Sequence, residues 1–310
     1  MAVLAATSVL AQPFPSRPIK VIVPLAAGGT GDTLGRLIAE GLAATLKATT
    51  VVENRPGSGG VIGTEAVAKS TPDGYTLLVT SPSHVLNAAL RTKLPYDPIR
   101  DFAPIAQIAD THQVLLAHPS LGVSTIKELI ALAKAKPNAI TYGSAGNGSA
   151  THLNAELFRS LAGITLVHVP YKGSTQARTD LLSGQVQLAV DGVLPTLGHV
   201  RAGKLKALAL TNSRRTPAAP EIPTMAEAGV PGYRSDTWYA LLAPAGTPDA
   251  VLARLHAAVV AAIATPAVKE KFAQQGAEPM ATSSRELADL LRDELVRWRK
   301  VVQEAGVQVD

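Results

Sequence analysis

No cysteine occurs among the 310 residues, which excludes disulfides, thiolate metal sites and cysteine nucleophiles together, although it does not identify a compartment. Aromatic residues are scarce, at 4%. With no basic stripe interleaved with rings, a nucleic-acid surface is not expected, and neither is a sugar cleft paved with aromatics. Charge is sparse as well: 17% of residues are ionic, with a net +5. The Lys and Arg are scattered apart from short groupings such as Arg214-Arg215 and Arg297-Trp298-Arg299-Lys300, so the field would steer small anions weakly. No internal repeat or low-complexity run occurs. Beyond the N-terminus no segment approaches the ~20 uninterrupted apolar residues of a membrane span, and the mature chain is expected to be soluble.

What is present is a hydrophobic fraction of 46%, enough for a substantial core and compatible with about two domains. The 25 glycines and 22 prolines are spread between periodic segments as punctuation. Residues 1–11 (MAVLAATSVLA) read as the back half of an export signal, with Ala11 suiting a cleavage site, although no Lys or Arg precedes the apolar stretch.

From there the pattern is strand, turn, helix, repeated, which predicts an α/β fold of right-handed βαβ units. Residues 19–23 form a β-branched run of the kind buried in a parallel sheet. They lead into the glycine corner Pro24-Leu25-Ala26-Ala27-Gly28-Gly29-Thr30-Gly31-Asp32, after which Asp32 is expected to cap a helix with apolar positions at Leu34, Leu37, Ile38, Leu42 and Leu46. Strands at 50–53 and 76–80 follow, separated by the turn 54–60 and a helix to about Lys69. A second set begins near Val114, with a capping box at Thr125 and Glu128 and a second glycine corner, Tyr142-Gly143-Ser144-Ala145-Gly146-Asn147-Gly148-Ser149, opening a helix over 151–161. The last stretch supplies a strand at 238–243, a helix opened by Thr247 and Pro248, and a long helix after Ser283, with Glu286 at capping-box spacing. These late elements lack the strands for a third domain and are expected to cover the first.

The chain therefore leaves one lobe near residue 112 and returns near 236. Lobe 1 is expected to comprise 12–112 and 236–310, and lobe 2 to comprise 113–235. Two crossings make a hinge, and the two glycine corners should face each other across the interlobe cleft, where first-turn N–H groups and helix dipoles favour an anion.

Enzymatic readings find little machinery. Gly29-Thr30-Gly31 lacks the third glycine of a dinucleotide fingerprint, since Leu34 stands there, and Gly57 and Gly63 are one residue too far apart for a phosphate loop, with Thr64 replacing its lysine. A hydrolase elbow around Ser144 would need glycine where Tyr142 stands. The seven histidines show no metal-binding spacing, and no metal or cofactor is expected. The runner-up is nevertheless a serine-dependent hydrolase using Ser144 or Ser83 with His84 or His152.

Five segments, PSRPIKVIVPLAAGGTGDTLGRLIAEGL, VVENRPGSGGVIGTEAVAKSTPDGYTLLV, ITYGSAGNGSATHLNAELF, VHVPYKGSTQARTDLLSGQVQLAVD and YALLAPAGTPDAVLARLHAAV, closely resemble the substrate-binding proteins of tripartite tricarboxylate transporters, also called Bug receptors. The resemblance implies a type II periplasmic-binding-protein fold of two α/β lobes, acting in the periplasm of a Gram-negative bacterium. It implies a monomeric receptor that hands a small carboxylate to membrane permease subunits. A sensor subunit that presents the same ligand to a signalling partner is the alternative within that class. Relatives hold the carboxylate through main-chain amides of both lobes.

Carried over by position, the binding residues fall on the loop from Pro24 to Asp32, with Ala26, Gly28 and Gly29 as donors or close-approach positions. They continue at Ser81 and Ser83, at Ser144, Ala145 and Gly146, and at Thr151 and His152, with Tyr171 and Asp191 completing the lining. Many relatives have serine in place of Thr151. Asp191, at a strand end, either receives a ligand ammonium or caps the next helix. The ligand stays open among di- and tricarboxylates, aromatic carboxylates and amino acids.

Overall fold

Ile19–Val23 (β1) is shielded at Ile19, Val21 and Val23, as its continuous β-branched sequence requires. In the computed structural model, which describes residues 14–25 and 27–305, it is followed by α1 (Thr30–Leu46), β2 (Thr50–Asn54), α2 (Val61–Ala68), β3 (Thr76–Thr80) and α3 (Ser83–Leu90). β4 (Phe102–Thr111) then runs through His112 into β5 (Gln113–Ala117). Next come α4 (Ile126–Ala135), β6 (Thr141–Ser144), α5 (Ala150–Ala162), β7 (Val167–Pro170), α6 (Ser174–Leu182), β8 (Leu188–Gly192), α7 (Val193–Arg201) and β9 (Lys206–Leu210). The chain closes with β10 (Thr237–Pro244), α8 (Asp249–Ala264), α9 (Pro266–Gln274), β11 (Ala277–Pro279) and α10 (Ser284–Ala305). The candidate export segment 1–11 and Ala26 lie outside the described residues.

Two sheets result, one ordered β11-β4-β10-β3-β1-β2 and the other β7-β6-β8-β5-β9. Each has a parallel part, β2-β1-β3 and β7-β6-β8, as the alternation of strand and helix predicts. Each also contains a strand of opposite direction: β10 runs antiparallel to β3 and β4, and β5 antiparallel to β8 and β9. These are the strands by which the chain enters each lobe. Apart from the short β11, which also lies antiparallel to β4, the others run toward the hinge and cleft, whereas a strand arriving from the hinge must run away from it, so a two-crossing chain produces mixed sheets. The architecture is the expected type II binding-protein fold.

At the crossings the sheets' hydrogen bonding is interrupted and a side chain replaces it. Buried Asn212 donates from Nδ2 to Thr111 O (2.9 Å) and accepts from Gln113 N (3.1 Å), bracketing His112. Thr211 N donates to Gln113 O (2.9 Å) and Ser235 N to Thr211 O (3.1 Å), so outgoing and returning chains lie side by side. One apolar cluster runs across both lobes, from Leu78 and Val85 through Leu153 and Phe158 to Trp298. It does so because α10 packs on α3 and β4 and also touches α5.

Some local expectations shift. Gly29, not Asp32, is the N-cap of α1, and Asp32 sits in the first turn. Thr247 bonds Pro244 O through its hydroxyl (2.8 Å), and α8 begins at Asp249 behind Pro248. The capping boxes of α4 and α10 form as the sequence indicates, with Ser283 and Glu286 bonding reciprocally at 2.8 and 3.2 Å. The helix α3, the strand β4, and the pair α9 and β11 go beyond what the sequence reading assigned.

Candidate functional site

The C-terminal ends of β1, β2, β3, β6 and β7 converge on one cavity of about 680 Å³ between the lobes, the place where open α/β sheets bind ligands. The first lobe contributes Pro24 and Leu25 after β1, the loop Pro56 to Gly60 after β2, and Ser81, Pro82 and Ser83 after β3. Along α3 follow Leu86, Asn87, Leu90 and Arg91. The second lobe contributes Ala145 and Asn147 to Ala150 after β6, and Lys172 after β7. Gln113, Thr237 and Tyr239 on the crossing strands form the base. A groove of similar size, about 670 Å³, lies on the outside of the second lobe between α4 and β9. It draws on one lobe and lies away from these strand ends.

The loop after β2 has a backbone that few sequences tolerate. Gly57, Ser58, Gly59 and Gly60 all have positive φ (131°, 50°, 68° and 94°), which is why three of the four are glycine. Asn87 Nδ2 donates to Gly59 O (2.9 Å), and Arg91 Nη2 donates to Ser58 O (3.3 Å), so α3 fixes the loop from below. The N–H groups of Ser58, Gly59 and Ser83 have no partner among the described residues.

The corner of the second lobe is tied to its own side chains. Ala145 N donates to Thr151 Oγ1 (2.9 Å), Gly146 N to Ser144 Oγ (3.1 Å) and Gly148 N to His152 Nδ1 (3.1 Å). Ser149 Oγ caps α5 by accepting from His152 N (3.2 Å). What remains toward the cavity are the N–H groups of Asn147 and Ala150, unpartnered among the described residues, at the positive end of the α5 dipole.

Behind this corner, rings stack. His152 lies 4.0 Å from His168, and His168 lies 4.8 Å from Tyr142, whose hydroxyl donates to Glu156 at 2.6 Å. Burial holds His152 below the ordinary imidazole range, and burial with the neighbouring His152 pushes His168 down to about 4. Burial and the Glu156 carboxylate raise Tyr142. Both histidines are therefore neutral at pH 7, which the acceptor role of His152 Nδ1 requires.

Of the residues expected at the site, Pro24, Ser81, Ser83 and Ala145 line the cavity. Ala26 lies outside the described residues. Gly28 N donates to Asp32 Oδ2 (2.8 Å), and Gly29 is the N-cap residue of α1, so one amide of this corner is taken by the helix's own side chain. The Asp32 carboxylate also takes Arg36 (3.0 Å) and Asn54 (2.9 Å); these neighbours outweigh burial and lower its pKa. Ser144, Gly146, Thr151 and His152 form the layer behind Ala145 and are not on the cavity wall. Tyr171 turns its hydroxyl to Asp180 (2.7 Å), and burial with that carboxylate raises it to about 12. Asp191 is neither helix cap nor cavity residue. Its carboxylate is bound by Arg178 (2.6 Å) and Gly192 N (2.7 Å), which removes the reason to expect a ligand ammonium there.

The serine–histidine pairs considered from the sequence do not form. Ser83 Oγ meets Ser81 Oγ (3.0 Å), and His84 Nε2 donates to Pro98 O (2.8 Å). Ser144 Oγ meets His168 Nε2 instead, at 2.6 Å, but Ser144 is only 1% exposed. The sequence reading missed the loop 57–60, the face of α3 and Lys172. The Gly-Ser-Gly-Gly run was the available signal for the first.

A family model described as "Tripartite tricarboxylate transporter family receptor" matches residues 34–307. The protein BugT of Bordetella pertussis is 39% identical over 98% of this chain and 94% of its own length. Among solved structures, Rpa4515 of R. palustris, determined with adipate, superposes with a TM-score of 0.82 at 36% identity, covering 95% of this chain and 99% of that one. MatC of Rhodopseudomonas palustris, with bound malate, gives 0.79 at 34% identity over 93% and 100%.

Proposed function

Since the chain belongs to the tripartite tricarboxylate transporter receptor family, whose members are solute-binding proteins and not enzymes, we propose that it captures a small carboxylate between its lobes and delivers it to the membrane subunits of such a transporter. The carrying observation is that residues lining a single cavity from both lobes, Ser58, Gly59 and Ser83 on one side and Asn147 and Ala150 on the other, have N–H groups without a partner among the described residues. Relatives of similar fold solved with adipate and malate support the ligand class. The receptor works in the periplasm as a monomer, and its action is reversible binding with closure about the His112 and Asn212 crossings.

Energetics favour a grip from both sides. A hydrogen bond to a charged group contributes about 1.5–3 kcal/mol, whereas association costs at least about 4 kcal/mol and micromolar affinity requires about 8 kcal/mol net. Two or three bonds from one lobe fall short, whereas five from two lobes reach the sum once each contributes about 2.4 kcal/mol or more.

Mass spectrometry of copurifying small molecules, followed by a thermal-shift panel of carboxylates, tests the proposal. A true cargo at about 100 times its Kd should add about 2.7 kcal/mol, which is several degrees in Tm. No shift with any carboxylate, and none copurifying, would count against it.

A further inference from the structure

The cavity wall carries charge of one sign. Arg91, just past α3 in the first lobe, and Lys172, just past β7 in the second, are its charged residues among the described ones, and no described Asp, Glu or His lines it. Elsewhere arginines near the cleft are neutralised: Arg178 by Asp191 and Arg214 by Asp110 and Glu278. Arg91 instead meets neutral acceptors, Asn87 Oδ1 and Ser58 O, each at 3.3 Å. These engage two of the five N–H donors of its guanidinium. Lys172 Nζ has no hydrogen-bond or ion-pair partner among the described residues, although its own backbone is fixed by Gln176 (3.2 Å).

Two cations on opposite lobes resist closure unless something negative lies between them. Like charges repel and an anion placed between them attracts both, so the sign of what enters decides whether closure is opposed or driven. A cargo whose single carboxylate is held by the main-chain amides leaves this pair uncompensated. Leu86 and Leu90, buried on the same face of α3, supply an apolar wall next to Arg91.

We propose that Arg91 and Lys172 form a two-sided clamp for a second anionic group, so that the receptor selects dianions with an apolar spacer over monoanions of the same shape. The proposal rests on the receptor reading above and assigns the charge requirement to two residues that bind through the side chain and not the backbone. A charge-assisted bond of about 1.5–3 kcal/mol corresponds to roughly 10- to 100-fold in affinity.

The test is calorimetry of the full protein with succinate, malate and adipate and with the monomethyl ester of each, which removes one charge at nearly constant shape. The expected result is that the best diacid binds at least about tenfold tighter than its monoester. R91Q and K172Q should each shrink that ratio, and the double variant should bring it close to one; because Arg91 also holds Ser58 O, R91Q lowers affinity for the monoester as well, and the readout is the ratio and not either affinity alone. Equal binding of diacid and monoester by the parent, or variants that weaken both ligands equally, would overturn the clamp while leaving the receptor reading intact. If none of these diacids or monoesters binds the folded parent, the clamp is overturned, and the receptor reading is decided by the wider carboxylate panel and copurification.

Discussion

The two glycine corners that stand out in the sequence carry three glycines each and differ in which of their amides side chains take up. In the first, Gly28 N is answered by Asp32 four residues on, and Asp32 is in turn held by Arg36 and Asn54, so a side chain of the helix itself takes one amide of the corner. In the second, Thr151, Ser144 and His152 bind three of the loop amides and thereby aim the rest, Asn147 and Ala150, at the cavity. Pro24 and Leu25 of the first corner line the cavity, and the first lobe adds the loop 57–60 and the start of α3. A glycine corner thus reveals where the main chain can be approached. Which of its N–H groups are free is decided by neighbouring side chains.

The contrast can be broken most forcefully at Asp32. Asp32→Ala leaves Gly28 N, Asn54 and Arg36 without their buried partner and should cost about 2–4 kcal/mol in urea unfolding. We expect cargo affinity to stay within about twofold, because the Gly28 amide is committed to Asp32. A large loss of affinity with little loss of stability would reverse the assignment of the two corners.

Thr151→Val is the matched change in the second lobe. It strands the Ala145 N–H behind the cavity wall, which should lower stability by about 1–3 kcal/mol and weaken binding by about tenfold. Isothermal titration would contradict the account if affinity were untouched.

Acid should separate the lobes in another way. His84 and His168, held down to about 4, and His152, also lowered, stay neutral in the folded protein but protonate near 6.5 when it unfolds. The unfolded chain therefore binds more protons, so their contribution is complete above about 6.5 and is lost as pH falls from there toward about 4. Asp110, raised by burial, works in the opposite direction over part of that window. Protonating His152 also removes the acceptor of Gly148 N, so affinity should fall in the same window. Urea midpoints and titrations from pH 7 to pH 4.5 check both, and a flat affinity profile would show that the corner does not depend on this bond.

The smallest effect is expected for Gly28→Ala. The residue has φ +82° with open space around its Cβ position, so strain alone should cost about 1 kcal/mol, with binding unchanged.

Much of the architecture was readable because it rests on local chemistry. The β-branched run 19–23, the helical spacing of Leu34, Leu37 and Leu42, and the boxes at Thr125 and Ser283 each act within one element. β4 was not readable because Pro104 and Gln107 interrupt its alternation, and its burial comes from β10, more than a hundred residues away. α3 hid behind Ser81-Pro82-Ser83, which has the composition of a loop. The site was legible as loops and strand ends but not as particular atoms. Arg178 meets Asp191 and Asn212 meets Thr111 only through the fold, and such pairings decide whether a polar residue faces a ligand or a neighbour. Lys172 lies inside a segment that was recognised, yet only the cavity gives it a role.

A crystal structure of the protein with the cargo that copurifies, or with a carboxylate that shifts its Tm, tests the central claim most directly. One carboxylate should lie within hydrogen-bond distance of N–H groups from both sides, among Ser58, Gly59 and Ser83 on the first lobe and Asn147 and Ala150 on the second. A cargo seated in the outer groove between α4 and β9, or touching one lobe alone, would contradict the account.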